Sequence, residues 1–294
     1  IGSHILGTFM TVDNVASFEW AINPDGDLTT TDDLPDVINN SWHDPGLDEL
    51  DCVSVYVPVL EALEAANIGV IFSAGNAGPQ PMTMTQPHNI NVNLVNTFTV
   101  GALNGNVSSL PIANFSSRGP SHCDDVSGSL LIKPEVSAPG VSVRSARPNG
   151  EYDELNGTSM ASPHVAGCYL LLKEAFPYLN TIELKESLYY SAIDLGDPGE
   201  DNIFGMGVVN LENAYNYLLD QGHTPESPYR ENDVMILDIQ SPDAACNNEL
   251  SPVVVVENAG INPVSSILIN YGIDNISESY TWTEMLLPGE RATI

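Results

Sequence analysis

The sequence predicts an α/β fold, a parallel sheet flanked by helices over residues 1–221, then a linker at 222–232 and a partial all-β domain over 233–294. Three observations predict it. Short apolar runs alternate with segments of helical periodicity. A Gly-Thr-Ser turn opens a long apolar helix near residue 159. Beyond the polar, proline-bearing break GHTPESPYREN the apolar pattern changes to period two.

Taken in order, Asp36 to Trp42 (DVINNSW) reads as a short strand. From Asp51 to Ala66, Val53, Tyr56, Val57, Leu60 and Leu63 recur at helical spacing, and Asn67-Ile68-Gly69 stops that helix. Val70-Ile71-Phe72 is a buried strand, and Thr97 to Leu103 another after a polar loop. The next helix runs from near Ser159 to Phe176-Pro177, with Pro163 early enough to remove few hydrogen bonds. Asn180-Thr181 opens a further helix with Glu183 in the capping position. A Gly205-Met206-Gly207 turn and the Val208 to Tyr217 stretch complete the unit. Past the linker, Val234 to Ile239, Pro252 to Glu257, Ser266 to Tyr271 and Ser279 to Thr283 are strand-like. At about 60 residues this second domain is shorter than the roughly 100 of an immunoglobulin-like sandwich, so it reads as a part of one.

The chain carries 39 acidic residues against 8 basic ones, a formal charge of −31. Nucleic acid is thereby excluded as a partner, since its phosphates need cations to bind them. A hydrophobic share of 43% excludes disorder. Cys52, Cys123, Cys168 and Cys246 form no CxxC pair and have no histidine at zinc spacing, so neither a metal site nor a disulfide map follows. No apolar run is long enough to span a membrane.

The strongest chemical signal is Asn156-Gly157-Thr158-Ser159-Met160-Ala161-Ser162-Pro163-His164-Val165-Ala166-Gly167. A glycine turn delivers Ser159 to a helix N-terminus, where free N–H groups and the helix dipole favour a developing oxyanion. An isolated serine there would read as a helix cap. A serine nucleophile also needs a base, which a histidine elsewhere must supply.

This segment resembles the nucleophile motif of the subtilisin-like serine endopeptidases, the subtilases. Gly2-Ser3-His4-Ile5-Leu6-Gly7-Thr8 is similar to the family's histidine motif, and Ser73-Ala74-Gly75-Asn76-Ala77-Gly78-Pro79 to its oxyanion-asparagine motif. Three motifs in family order do not arise by chance. The resemblance covers roughly residues 1–220, is closest to bacillopeptidase-type members, and implies a subtilisin-like sheet. It implies that Ser159 attacks the scissile carbonyl, that His4 takes and returns the proton, and that Asn76 with the Ser159 N–H holds the oxyanion. It places the catalytic Asp upstream of the histidine motif, outside this chain, whose two ends both read as truncation. Ser41-Trp42-His43 and Ser73-Ala74-Gly75 resemble the segments that flank the P1 side chain, with His43 where family members usually have glycine.

Protein or peptide substrates and a secreted or cell-surface location follow from the same resemblance, while the β-rich domain resembles accessory modules that bind a cell surface or another protein. No redox cofactor is needed, and any calcium would be structural. The acidic run Asp25, Asp27, Asp32, Asp33 and Asp36 lacks EF-hand spacing and reads as a solvated loop. His164 reads as a packed structural histidine, and His43, His88, His122 and His223 as loop residues. Two rival readings are a peptide-binding relative that has lost the Asp, and an adhesion protein whose working part is the β-rich domain.

Overall fold

A computed structural model gives the structure of residues 14–27, 29–44, 55–123, 127–226, 231–240, 253–273 and 276–294. The chain divides into two compact units, Ile1–Glu226 and Ser227–Ile294.

The first unit is built on a four-stranded sheet, β1 (Val37–Asn40), β2 (Gly69–Ser73), β3 (Phe98–Leu103) and β4 (Val136–Pro139), in that spatial order. Every neighbouring pair is parallel. All of β2 and β3 is buried, which is why GVIFS and FTVGAL are nearly continuous apolar runs. Strand alternation sends Val70 and Phe72 to one face and Ile71 to the other.

Helices α1 (Asn14–Ile22) and α2 (Tyr56–Ala65) cover the first face, where Phe18, Tyr56, Leu60 and Leu63 pack on Phe72. Helices α3 (Thr158–Ala175), α4 (Thr181–Tyr190) and α5 (Leu211–Asp220) cover the second, through Val165, Tyr169, Leu184 and Leu218. The expected capping box is present. Asn180 accepts from the Glu183 N–H, and the Glu183 carboxylate accepts from the Asn180 N–H. An antiparallel hairpin, β5 (Val143–Ala146) and β6 (Tyr152–Leu155), precedes α3 and is largely exposed.

A buried polar layer ties β3 to β4. The Lys133 Nζ donates to Glu135 Oε1 (2.5 Å) and to the Thr97 carbonyl (2.9 Å), while Glu135 Oε2 accepts from the Thr99 N–H (2.6 Å). Lys185 donates to the Asn96 carbonyl (3.0 Å) and pairs with Glu64 (3.3 Å). Burial pushes the Lys133 ammonium down and the Glu135 carboxyl up, and each partner opposes the other's shift.

The same layer holds His88, which is fully buried although it sits in a turn rather than a regular element. Its Nε2 accepts from the Thr85 N–H (3.1 Å), so that nitrogen carries no proton. Burial, with lesser contributions from the Lys133 and His43 charges, pushes its pKa down to about 3. The expected packed role for His164 fails. It is exposed on α3, and its Nδ1 donates to the Met160 carbonyl (2.8 Å).

In the second unit β7 (Val234–Gln240), β8 (Val253–Asn258) and β11 (Arg291–Thr293) form an antiparallel sheet ordered β11-β8-β7. A separate antiparallel pair joins β9 (Ile267–Ile273) to β10 (Ile276–Trp282). Val254, Val256, Trp282 and Leu286 are its core. Alternate burial along β8 matches the period-two pattern.

Two predictions follow from the buried layer. Lys133→Met leaves Glu135 without its cation and should cost about 3–5 kcal/mol in urea unfolding, and adding Glu135→Leu should recover most of the loss. His88 is held neutral in the fold but takes a proton when unfolded, so the unfolded chain binds more protons between pH 6.5 and about 3. Stability should fall across that window by on the order of 4 kcal/mol, and His88→Gln should flatten the dependence.

Candidate active site

Three segments converge at the C-terminal end of the parallel sheet: the residues after β1, the loop after β2, and the head of α3. Ser159 is the second residue of α3, in the first turn, where backbone N–H groups have no acceptor within the helix. Gly157 precedes the helix at φ +154° with its N–H on the Gly140 carbonyl (2.9 Å). Its Cβ position is uncrowded, so backbone conformation rather than space is what calls for glycine there.

Pro163 has a local consequence. Without an N–H it cannot donate to the carbonyl of Ser159 four residues earlier, and the Ser41 hydroxyl donates to that carbonyl instead (3.4 Å). The residues after β1 are thereby joined to the helix that carries Ser159.

Asn76 is oriented by its neighbour in the nucleophile motif. Its Oδ1 accepts from the Thr158 N–H (2.9 Å) and from the Thr158 hydroxyl (3.1 Å), and the Thr158 oxygen accepts from the Gly75 N–H (3.1 Å). With both donors on Oδ1, the amide cannot be reversed, and Nδ2 lies 3.6 Å from the Cβ position of Gly157. A donor is held beside the helix head, where an oxyanion formed at Ser159 would need one.

The loop that carries Asn76 is pinned from below. Ser117 donates its N–H to the Gly75 carbonyl (2.9 Å), and its hydroxyl accepts from the Ala77 N–H (3.1 Å). At Gly75, φ is +95° and a Cβ would stand 2.9 Å from Ser117 Oγ, so both conformation and space require glycine.

These groups enclose a cleft of about 340 Å³ lined by Ser41, His43, Ser73, Gly75, Asn76 and Ser159, together with Thr83, Thr85, His88 and Ser117. Of the residues expected to flank a bound side chain, Ser41, Ser73 and Gly75 line this cleft. Trp42 also borders it, although its ring is committed to Phe18, Tyr56 and Phe72. Ala74 is buried with its N–H on the Val100 carbonyl, and it is not among the lining residues. His4 lies outside the described residues. Thr158, Ser117, Thr83, Thr85 and His88 were not anticipated; for Thr158 the motif itself was the available signal.

The acidic run Asp25 to Asp36 contributes no residue to the lining of this cleft, and part of it is bonded within itself. Asp27 accepts from the Thr29 N–H (2.9 Å) and Asp25 from the Asp27 N–H (2.8 Å), bonds that hold both carboxyls below the usual range. Among the described residues no three His, Cys, Asp or Glu side chains converge as a metal would require.

Comparison with known proteins extends the local match to most of the first unit. The model of the subtilase family matches residues 3–207. The chain is 36% identical over 214 residues to bacillopeptidase F of Bacillus subtilis (strain 168), covering 69% of this chain and 14% of that protein. It is 33% identical over 208 residues to subtilisin DY of Bacillus licheniformis, covering 71% of this chain and 63% of that one. Among solved structures, S41 psychrophilic protease aligns at TM-score 0.54 and 29% identity, over 67% of this chain and 63% of that chain. Sphericase aligns at TM-score 0.53 and 26% identity, over 67% of this chain and 62% of that chain. The chain thus spans less than two thirds of the length of each of these relatives. The family match nevertheless crosses the parallel sheet, the loop of Asn76 and the head of α3 in one continuous stretch, and the chain belongs to the subtilase family.

Proposed function

We propose that the chain belongs to a serine endopeptidase that hydrolyses peptide bonds of protein substrates. In this reading Ser159 Oγ adds to the scissile carbonyl as His4 takes its proton. The Asn76 Nδ2 donor and the Ser159 N–H hold the oxyanion, and His4 then protonates the departing amine. Water repeats the sequence on the acyl-enzyme and frees Ser159. An Asp that the family pattern puts before the histidine motif orients His4. The observation that carries this reading is the fixed amide of Asn76, whose oxygen is occupied by Thr158 so that its donor side is left for the oxyanion.

Ser41 to His43 and Ser73 with Gly75 would be the two rims between which an extended peptide lays its P1 residue. The reaction requires no organic cofactor, and calcium, where bound, serves stability. A secreted or surface location fits the acidic charge of −31 and the disulfide at Cys123, since disulfides persist in oxidising compartments. No helix among the described residues is long and apolar enough to cross a membrane. Residues 1–221 form the peptidase domain, 222–232 the linker, and 233–294 an accessory β-domain that binds a cell surface or another protein.

The test is a fluorophosphonate probe on a protein that includes the segment preceding the histidine motif. Covalent labelling should map to Ser159 and vanish in His4→Ala. A folded protein that resists labelling would leave the peptide-binding reading in its place. Asn76→Ala should lower kcat by ~10²–10³ with little change in KM, a magnitude taken from a subtilisin.

A further inference from the structure

The amide of Asn76 is fixed at its outer end by Thr158, but the backbone from which it projects is held by a different segment. Asn76 itself is exposed, in the loop after β2, with Gly75 before it and Ala77 and Gly78 after it. A surface loop keeps its shape only where its own N–H and C=O groups are tied down. Residues 115–117 tie this one on both sides of Asn76. The Ser117 N–H donates to the Gly75 carbonyl (2.9 Å), the Ala77 N–H donates to Ser117 Oγ (3.1 Å), and the Gly78 N–H donates to the Phe115 carbonyl (2.9 Å). The Ser117 hydroxyl is the one side-chain group in these three bonds.

The clasp is anchored in turn to the sheet. Ser116 Oγ accepts from the Ala102 N–H of β3 (3.0 Å), and the Ala102 carbonyl accepts from the Ala113 N–H (2.8 Å). Two adjacent serines, both fully buried, therefore differ in what they grip: Ser116 holds the strand, and Ser117 holds the loop of Asn76.

Without the Ser117 oxygen, the Ala77 N–H would face a buried gap with no acceptor, and the loop would lower that cost by turning the N–H toward water. Such a movement carries Asn76 with it. A misplacement of about 1 Å at a group that acts in the transition state can cost ~10²-fold in rate. The Thr158 bonds to Oδ1 would restrain the far end of the amide, so the loss should be partial.

We propose that Ser117 is a positioning residue for the oxyanion donor, its hydroxyl fixing the backbone at Ala77 and so aiming the Asn76 amide at the head of α3. This rests on reading Asn76 as the oxyanion donor. Because Ser117 is fully buried, its effect on the reaction passes through the loop and not through contact with substrate.

The experiment uses the protein that includes the segment preceding the histidine motif. Ser117→Ala, Ser116→Ala and Asn76→Ala are made singly, and each serine variant is also combined with Asn76→Ala. Peptide hydrolysis gives kcat and KM, urea unfolding gives stability, and the NMR signal of the Asn76 side-chain amide, identified by its loss in Asn76→Ala, reports the placement of the donor. Ser117→Ala should lower kcat about tenfold, change KM less than about twofold, and shift the amide signal. In the Asn76→Ala background the same substitution should change kcat less than about twofold, because residues that act as a unit are not additive. Ser116→Ala should also destabilise the fold, yet leave kcat and the amide signal close to those of the parent. An unchanged kcat in folded Ser117→Ala, or a loss that persists in full without Asn76, would overturn the proposal and leave the peptidase reading intact. In a parent that cleaves no peptide the amide signal decides: a shift in Ser117→Ala but not in Ser116→Ala upholds the positioning while the peptidase reading falls, and no shift overturns the positioning as well.

Discussion

The contact on which the site depends is the pair of hydrogen bonds from Thr158 to Asn76 Oδ1. They join residues 82 apart in sequence, one at the head of α3 and the other in the loop after β2. Neither end is free to adjust, because α3 packs across the sheet through Val165 and Tyr169 while β2 is buried along its whole length. Core packing is what brings the two within reach, and the hydrogen bonds then fix which side of the amide faces the cleft. In the proposed reaction a donor set in advance would not have to reorganise as charge develops.

Much of this was legible in the sequence, for physical reasons that differ from element to element. Strands β2 and β3 announced themselves because a strand buried on both faces must be apolar throughout. The capping box at Asn180 and Glu183 is a local signal that needs no tertiary context. By contrast α1 was not anticipated: it is nine residues long, buries only Phe18 and Ala21, and has no acidic residue in its first turn. The β5–β6 hairpin was missed because β6 is exposed at every position and carries no alternation. Strand β4, Val136–Pro139, was not anticipated either.

Of the candidate site, the motifs pointed to Asn76 and Ser159, which both line the cleft, whereas the rest of the lining carried no signal. Thr83, Thr85, His88 and Ser117 come from segments without periodicity, and only the fold shows that they line the same cleft, with Ser117 and His88 next to the Cβ position of Gly75. His88 looked like any loop histidine; its burial follows from Phe72 beside it and the sheet beneath. The motif His4 lies outside the described residues.

The distribution of lysines has a practical consequence. All three of the chain's lysines hold structure: Lys133 and Lys185 are fully buried, and Lys173 caps the end of α3 by donating to the Pro177 and Leu179 carbonyls (3.0 Å each). Reagents that seek out primary amines therefore meet a folded first unit whose lysines are almost entirely withheld. Acylation of Lys133 or Lys185 then becomes a chemical clock for the opening of the core, reporting how often the sheet and its helices come apart.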